Sequence, residues 1–444
     1  MKLKKNNPGS RQRILSFELN PNKEQDIILG CLTYAASKLW NAGNYERKNW
    51  TRESGIPYPD WFLQKRNLKE NFWYKNLPSQ TAQEVLKQLD EGWGSFYRLK
   101  KTGGIDHPNP PGYKHSNFNI RYLNNGFTVS NQMVRLSVPK KQKEYISQKH
   151  NKKVDFLYIK IPEEYKCMEG NIKVIEIMPI SKSNRYTISI IIELPKVQVK
   201  EDNGIYMAID LGVNNLITCY TSTGNSLIIS GRQLLSLNRY YDKEIGYYQS
   251  ISYAQEWAAG IEYPKDSKRV RQMYKKRRKQ AEHVLHTATK QVMDFAQQEN
   301  VSRIIIGDIT HIRDEKNIGR INNQKFHKWP FGRITKLLSY KAEDRGIDID
   351  TQEEKYTSQC SPYAKEVSEE YARKSNRKHR GLYVVEGKAY NADCVGAYNI
   401  LKKYLCRIGH KTIPAVVGLD TPKAYRWNSH CFVESPKLAF SKAM

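Results

Sequence analysis

The sequence predicts an α+β protein in two parts. Residues 1–203 read as a β-barrel or sheet interrupted by a helical insertion, and residue 204 onward reads as an α/β layer with mixed strand pairing. Three observations carry this. Short apolar runs bounded by turn residues flank two long helical stripes in the first part. A strand, a tight turn and a second strand are written in GIYMAIDLGVNN, residues 204–215. After that hairpin, apolar strands alternate with helical stripes.

In the first part, residues 13–19 (RILSFEL) form a short strand, broken at Pro21-Asn22. A helix begins near Lys23, with Ile27, Ile28, Cys31, Leu32, Ala35, Leu39 and Trp40 at helical spacing. The aromatic stretch 58–74 covers it. Pro78-Ser79 opens a second long helix with Ser79 as its expected N-cap. Its stripe is Ala82, Leu86, Leu89, Trp93 and Phe96. Three prolines make 103–113 a loop. Strands follow at 127–129, 134–138, 156–161, 172–178 and 186–194.

In the second part, Ile205 to Ile209 form a buried strand that ends in one acid, Asp210. A carboxylate inside a sheet is costly unless paired or metal-bound. Gly212 and Asn214-Asn215 make the turn, and Leu216, Ile217, Cys219 and Tyr220 make the return strand. Residues 226–229 add a third strand, and a helical region starts at Gly231. Residues 265–279 (KDSKRVRQMYKKRRK) are the most basic segment and lead into the stripe Val284, Ala288, Val292 and Phe295. Residues 301–308 are a strongly apolar strand. A loop and helix fill 322–346, and 347–349 are a strand followed by Glu353 and Glu354. Asn391 and Asp393 start the last helix, where an acid also suits helix capping. Residues 411–444 read as a loosely structured tail.

Composition narrows the partners. The 444 residues carry a formal charge of +28, and aromatics make up 11%, including 29 tyrosines. The pI is about 9.6 and the mean hydropathy −0.72. Such an excess of positive charge points to a polyanion, and abundant tyrosine suits stacking on unpaired bases. No apolar run approaches a membrane span, and no apolar h-region follows the first lysines. Seven scattered cysteines without a CxxC pair give neither a disulfide framework nor a four-thiolate zinc site, which fits a reducing cell interior.

Three separated acidic positions, Asp210 on a strand, the adjacent Glu353 and Glu354 at a neighbouring strand end and Asp393 at a helix start, can converge across the end of one sheet. Two-metal phosphodiester hydrolysis needs carboxylates around an ion pair roughly 3.5–4 Å apart, and Mg²⁺ takes oxygen ligands. Strand, helix and hairpin order here is that of ribonuclease H-type nucleases.

The words AIDLGVNNLITC, SYKAEDRGIDI, EEKYTSQCS and NADCVGAYNILKK resemble the RuvC-type nuclease half of the TnpB family, insertion-sequence-encoded proteins related to type V CRISPR effectors. The resemblance spans about residues 205–404. Over residues 1–203 it holds in outline, as a wedge β-barrel with a helical recognition insert at about 22–105. It implies an RNA-guided DNA endonuclease of a transposable element, with Mg²⁺ as cofactor (two ions) and Asp210, Glu354 and Asp393 as both catalytic acids and metal ligands. The implied partners are a guide RNA from the transposon end and target double-stranded DNA, bound by a monomer in a prokaryotic cytoplasm at the nucleoid. In guided systems base pairing carries sequence, while the protein reads shape and a short flanking motif.

Two departures from the family pattern stand out. The family's usual middle acid falls at Gly307. A TnpB-like subset is similar in carrying glycine there and a relocated Glu three residues before a Thr-Ser pair, which is Glu354 before Thr357-Ser358. Asp308 and Glu353 are the fallbacks. The family's two CxxC pairs are replaced by Cys360-Ser-Pro-Tyr363 and by residues 383–386, so residues 357–388 are expected to be a zinc-free lid between the nuclease segments 204–356 and 389–410. The expected nucleic-acid contacts are Lys268, Arg269, Arg271, Lys275, Lys276, Arg277 and Arg278 in the basic segment, and Arg377, Lys378 and Arg380 in the lid, which also carries Arg373, Lys374 and His379. Two alternatives stay open: an RNA-guided DNA-binding regulator that does not cut, and a transposase acting directly on DNA ends.

Overall fold

The computed structural model describes residues 10–103, 105–163, 170–180, 183–308, 329–379, 381–410 and 412–435. Two compact units result, Met1–Lys196 and Val197–Met444. The division lies a few residues before the expected 203/204 boundary. Residues 197–203 are tied to the second unit: Lys200 N–H donates to the Gly346 carbonyl (2.8 Å) and Asn203 Nδ2 to that of Asn300 (2.8 Å).

In the first unit, strand β1 (Ser10–Leu19) leads into helix α1 (Lys23–Lys48). Asn22 caps α1 in a reciprocal box with Gln25. Short helices α2 (Trp61–Asn67) and α3 (Phe72–Lys75) precede α4 (Ser79–Thr102). Pro78, not Ser79, holds the cap position of α4, and no side chain caps it. Proline pre-sets the entry backbone, so Ser79 begins the helix instead. The apolar stripes of α1 and α4 bury Leu29, Leu32, Leu86 and Leu89 in one core with Ile188 and Ile190.

The remaining strands are β2 (Ile120–Leu123), β3 (Phe127–Ser130), β4 (Met133–Ser137), β5 (Phe156–Lys160), β6 (Asn171–Pro179) and β7 (Tyr186–Pro195). They pair as two antiparallel sheets, β1-β7-β6-β2 and β3-β4-β5. Helix α5 (Lys140–His150) went unread in the sequence because it buries only Gln142 and Ile146 and has no apolar stripe.

The second unit is built on a seven-stranded mixed sheet. Its strands are β8 (Tyr206–Leu211), β9 (Asn215–Thr221), β10 (Ser226–Ser230), β11 (Arg303–Asp308), β12 (Asp348–Glu353), β15 (Lys423–Asn428) and β16 (Cys431–Glu434). The order across the sheet is β12-β11-β8-β9-β10-β15-β16. Strands β12, β11 and β8 run parallel, and β9 is antiparallel to both β8 and β10. One face packs on α7 (Lys268–Gln298) and α8 (Phe331–Glu343), and the other on α9 (Ala392–Arg407). Helix α6 (Arg232–Ala258) pairs with the first half of α7 around a small core of Leu237, Tyr241, Ile245 and Val270.

Within the described residues 412–435 the expectation of a loose tail is corrected. Strands β15 and β16 extend the sheet beyond β10, with Ala424 and Phe432 buried. Each is too short to show an alternating pattern by itself. Residues 357–379 and 381–388 are mostly turns, closed by the hairpin β13 (Leu382–Val385) and β14 (Lys388–Asn391). None of the described helices is long and apolar enough to cross a membrane.

Candidate active site

Side chains alternate faces along a strand, and that parity places the first acid. Tyr206 and Ala208 pack toward α9, while Met207 and Ile209 pack toward α7 and α8. Asp210 therefore faces α9 at the end of β8. A Cβ on Gly396 of α9 would lie 2.6 Å from Asp210 Oδ2, so only glycine admits the carboxylate this close. Burial pushes the Asp210 carboxyl above its usual range, the Asp393 charge adds to that, and the Arg377 guanidinium opposes it.

Asp393 sits in the first turn of α9, one turn before Gly396. The capping role belongs to Asn391, whose Oδ1 accepts from the N–H groups of Asp393 (3.0 Å) and Cys394 (3.2 Å). The Asp393 carboxylate is thereby turned outward. Its Oδ2 accepts from Asn215 Nδ2 at 2.7 Å and its Oδ1 from Arg377 at 3.3 Å. Asn215 opens β9 just after the hairpin turn, while Asp210 itself is paired with Thr218. The turn between them is fixed by Trp329, whose Nε1 donates to the Gly212 carbonyl (2.9 Å).

Glu354 follows β12. Parity along β11 sends Ile305 to the α9 face, and Gly307 follows on that face. The Glu354 carboxylate fills the volume a side chain at 307 would need: a Cβ there would overlap Oε1 and lie 2.7 Å from Cδ. Glu354 Oε1 is buried and without a hydrogen-bond partner. Burial raises its carboxyl well above the usual range, and the charges of Asp210 and Asp308 raise it further. The backbone here is fixed by a turn. Thr357 returns both its N–H (3.1 Å) and its hydroxyl (2.7 Å) to the Glu354 carbonyl, and Tyr356 adopts a left-handed φ of 68°. Asn399 of α9 locks the turn by donating to the carbonyls of Thr357 (2.7 Å) and Cys360 (2.8 Å). One helix thus carries Asp393, accommodates Asp210 and holds the turn that aims Glu354.

The two fallback acids lie apart from this arrangement. Glu353 is 67% exposed and pairs with Lys403 at 3.0 Å. Asp308 is exposed at the end of β11, yet close enough for its charge to act on Glu354.

Among the described residues no three acid, His or Cys side chains converge on one metal-sized point. The acids instead couple in pairs through Asp210, to Asp393 on one side and to Glu354 on the other. That donor set fits hard divalent cations: all-oxygen ligands, mutual repulsion that a cation would relieve, and one buried carboxylate oxygen with no partner.

The expected nucleic-acid contacts divide into two groups. On α7, Lys268, Arg271, Lys276 and Arg278 are exposed, and Lys275 is half-buried. Arg269, although exposed, lies over the Tyr248 ring at 3.6 Å. Arg277 turns inward, bonding Asn238 Oδ1 (2.9 and 3.1 Å) and Asp242 (3.1 Å). In the lid, Arg377 contacts Asp393 and Lys378 is exposed. Arg380 lies outside the described residues. The lid is tied to α9 by Lys402, whose ammonium donates to the carbonyls of Pro362 (3.1 Å) and Ala364. Cys360 is buried, with its thiol directed at the Ser368 carbonyl (3.2 Å). The sequence marks Asn215 only as a turn residue and marks neither Trp329 nor Asn399. Only the proximity of Asn215 to Asp210 hinted at its role.

Residues 189–313 match the family profile OrfB_IS605, described as a probable transposase, and residues 331–400 match the profile of the Cas12f1-like TNB domain. The chain is 25% identical over 421 residues to the TnpB-like protein ORF457 of Acidianus two-tailed virus, covering 89% of this chain and 87% of that protein. It is 24% identical over 341 residues to the CRISPR-associated endodeoxyribonuclease Cas12f1 of Sulfoacidibacillus thermotolerans, covering 73% and 76%. A cryo-EM structure of a Cas12f1–sgRNA–target DNA complex shares the fold, with a TM-score of 0.55 at 17% identity over 85% of this chain and 83% of that one.

Proposed function

Because the chain belongs to the TnpB family, we propose that it is an RNA-guided DNA endonuclease of a transposable element, with Asp210, Glu354 and Asp393 as the acids of a magnesium site. The observation that carries this reading is the placement of Glu354. Its carboxylate occupies the space left by Gly307 and is electrostatically coupled to Asp210, which is coupled in turn to Asp393. The strand order β12-β11-β8-β9-β10 supports the reading of a ribonuclease H-like layer with the acids at one end of it.

When bound, divalent cations supply the activation of water and the neutralisation of charge on the scissile phosphate. The chain's own residues do the rest. Asp210, held rigidly by β8 and α9, is shared between the two acid pairs. Asn215 orients Asp393 by fixing one of its two carboxylate oxygens. Asn399 and Thr357 fix the backbone from which Glu354 projects. Arg377 balances the negative charge beside Asp393 and is placed to meet a phosphate entering from the lid side. Exposed cations of α7 and the lid neutralise the backbone of bound RNA and DNA.

The test is cleavage of guide-matched DNA by the purified RNA complex with Mg²⁺. Wild type should cut, and Asp210→Ala should bind equally well without cutting. Equal binding without cutting by both would establish the non-cleaving regulator instead. Strand transfer in the absence of RNA would establish a transposase.

A further inference from the structure

Helices α6 and α7 form an antiparallel pair with a cleft of about 620 Å³ on its surface. One wall is a single face of α6, bearing Gln233, Tyr240 and Tyr241, and the other is a single face of α7, bearing Lys276, Lys279 and Gln280. These are helical neighbours at spacings of three, four, seven and eight residues.

The chemistry of the cleft is specific. Tyr240 is 59% exposed and stands edge-on against the buried Tyr241, with ring centroids 5.2 Å apart and planes at 77°. An aromatic ring is thus held at the surface by a second ring beneath it. Lys276 and Lys279 line the cleft and bring positive charge to it; Arg277, between them in sequence, is bonded to Asn238 and Asp242. Two glutamines add donors and acceptors. An exposed ring, two ammonium groups and amides match a nucleotide: a flat base, a phosphate and polar base edges.

The position of the cleft identifies the strand. Gly231, just before α6, donates its N–H to the Asn214 carbonyl at 2.7 Å, beside the Asn215 that holds Asp393. Tyr240 lies about 12 Å farther along the helix axis at ~1.5 Å per residue. That is about three to four nucleotides at the ~3.4 Å rise of a duplex strand, and fewer for a stretched one. A single strand led from the acid end of the sheet to the cleft would have to span a length of that order.

We propose that this cleft binds one unpaired nucleotide of the DNA strand led to the acid site, its base stacked on Tyr240 and its phosphates on Lys276 and Lys279. The proposal rests on the nuclease reading for the identity of the strand, but its test does not require cutting. A fluorescein-labelled oligothymidine of about 12 nucleotides is titrated with full-length protein freed of RNA, in EDTA, and anisotropy is read. Tyr240→Ala should weaken binding about tenfold while melting like wild type, and Tyr240→Phe should bind normally, because stacking needs the ring and not the hydroxyl. The Lys276→Gln/Lys279→Gln double variant should lower the salt slope of log K by about 1.4.

Unchanged binding by Tyr240→Ala, equal losses in the Ala and Phe variants, or an equal loss for an RNA oligomer or a duplex would each overturn the proposal. If the wild-type complex fails to cleave while Tyr240→Ala still loses the oligothymidine, the nuclease reading falls and the stacking site stands.

Discussion

The Glu354 carboxylate lies against the bare Cα of Gly307, in the space a side chain there would occupy. A methyl at 307 would sit 2.7 Å from Cδ and 2.8 Å from Cγ of Glu354, and would overlap Oε1. The two positions are 47 residues apart in sequence; Gly307 lies in β11, and Glu354 comes just after the neighbouring parallel strand β12. A carboxylate from just beyond β12 therefore occupies the place that a side chain on β11 would take.

Gly307→Ala should expel the Glu354 side chain while leaving every acid in the sequence. We expect loss of cleavage with guide and target binding retained, and a stability cost of about 1–3 kcal/mol from overpacking. Cleavage assays and denaturant melts of the variant check both. Normal cutting by Gly307→Ala would remove Glu354 from the site.

The raised carboxyls of Asp210 and Glu354 predict how metal-free stability depends on pH. Their folded proton affinities exceed the unfolded ones, so the stability they contribute is complete below the unfolded carboxylate pKa of about 4. It is lost as pH rises through the raised folded values. Asp210→Asn and Glu354→Gln remove that loss. In EDTA at about pH 8 each should melt higher than wild type, by roughly 2–4 °C for each kcal/mol relieved. The gap should shrink toward about pH 5, and Mg²⁺ should narrow it by stabilising wild type. Differential scanning fluorimetry across pH, with and without Mg²⁺, reads both effects. A gap that widens toward acid would contradict the sign.

Parity along β8 and the position of Asp210 before a hairpin turn made that acid legible in the sequence. Asp393 was legible at a helix start, but its role was not, because an acid there also suits capping. The structure gives the capping to Asn391. Glu354 was illegible from spacing: an acid in an EEK run after a short strand looks like solvated charge, and only family resemblance singled it out. Its position depends on a vacancy in another strand, which no local pattern encodes. The same holds for Asn399, one polar residue on an apolar helix face, whose partners are carbonyls in a distant turn. The tail strands β15 and β16 were missed because four to six residues of mixed polarity become strands only when a sheet edge receives them.

Asn399→Ala should test whether the turn aims Glu354. The side chain is fully buried, and its loss leaves the Thr357 and Cys360 carbonyls without that donor. We expect a destabilisation of about 1–3 kcal/mol and a fall in the cleavage rate of the guide-loaded complex, with target affinity unchanged. Single-turnover kinetics at saturating complex separates rate from binding. An unchanged rate would show that the turn holds Glu354 without Asn399.

Adjacent arginines on α7 should behave oppositely. Arg277 is joined to Asn238 and Asp242 across the helix pair, whereas Arg278 is exposed. Arg277→Ala should therefore cost about 1–3 kcal/mol in stability, because it removes charged hydrogen bonds that hold α6 to α7. Arg278→Ala should leave stability within about 0.5 kcal/mol and reduce the salt slope of nucleic-acid binding by about 0.7–0.9. Melting curves paired with binding titrations at several salt concentrations separate the two. The basic run would then comprise two populations, one joining the helices and one contacting phosphates. Equal salt slopes for the two variants would make Arg277 a phosphate contact as well.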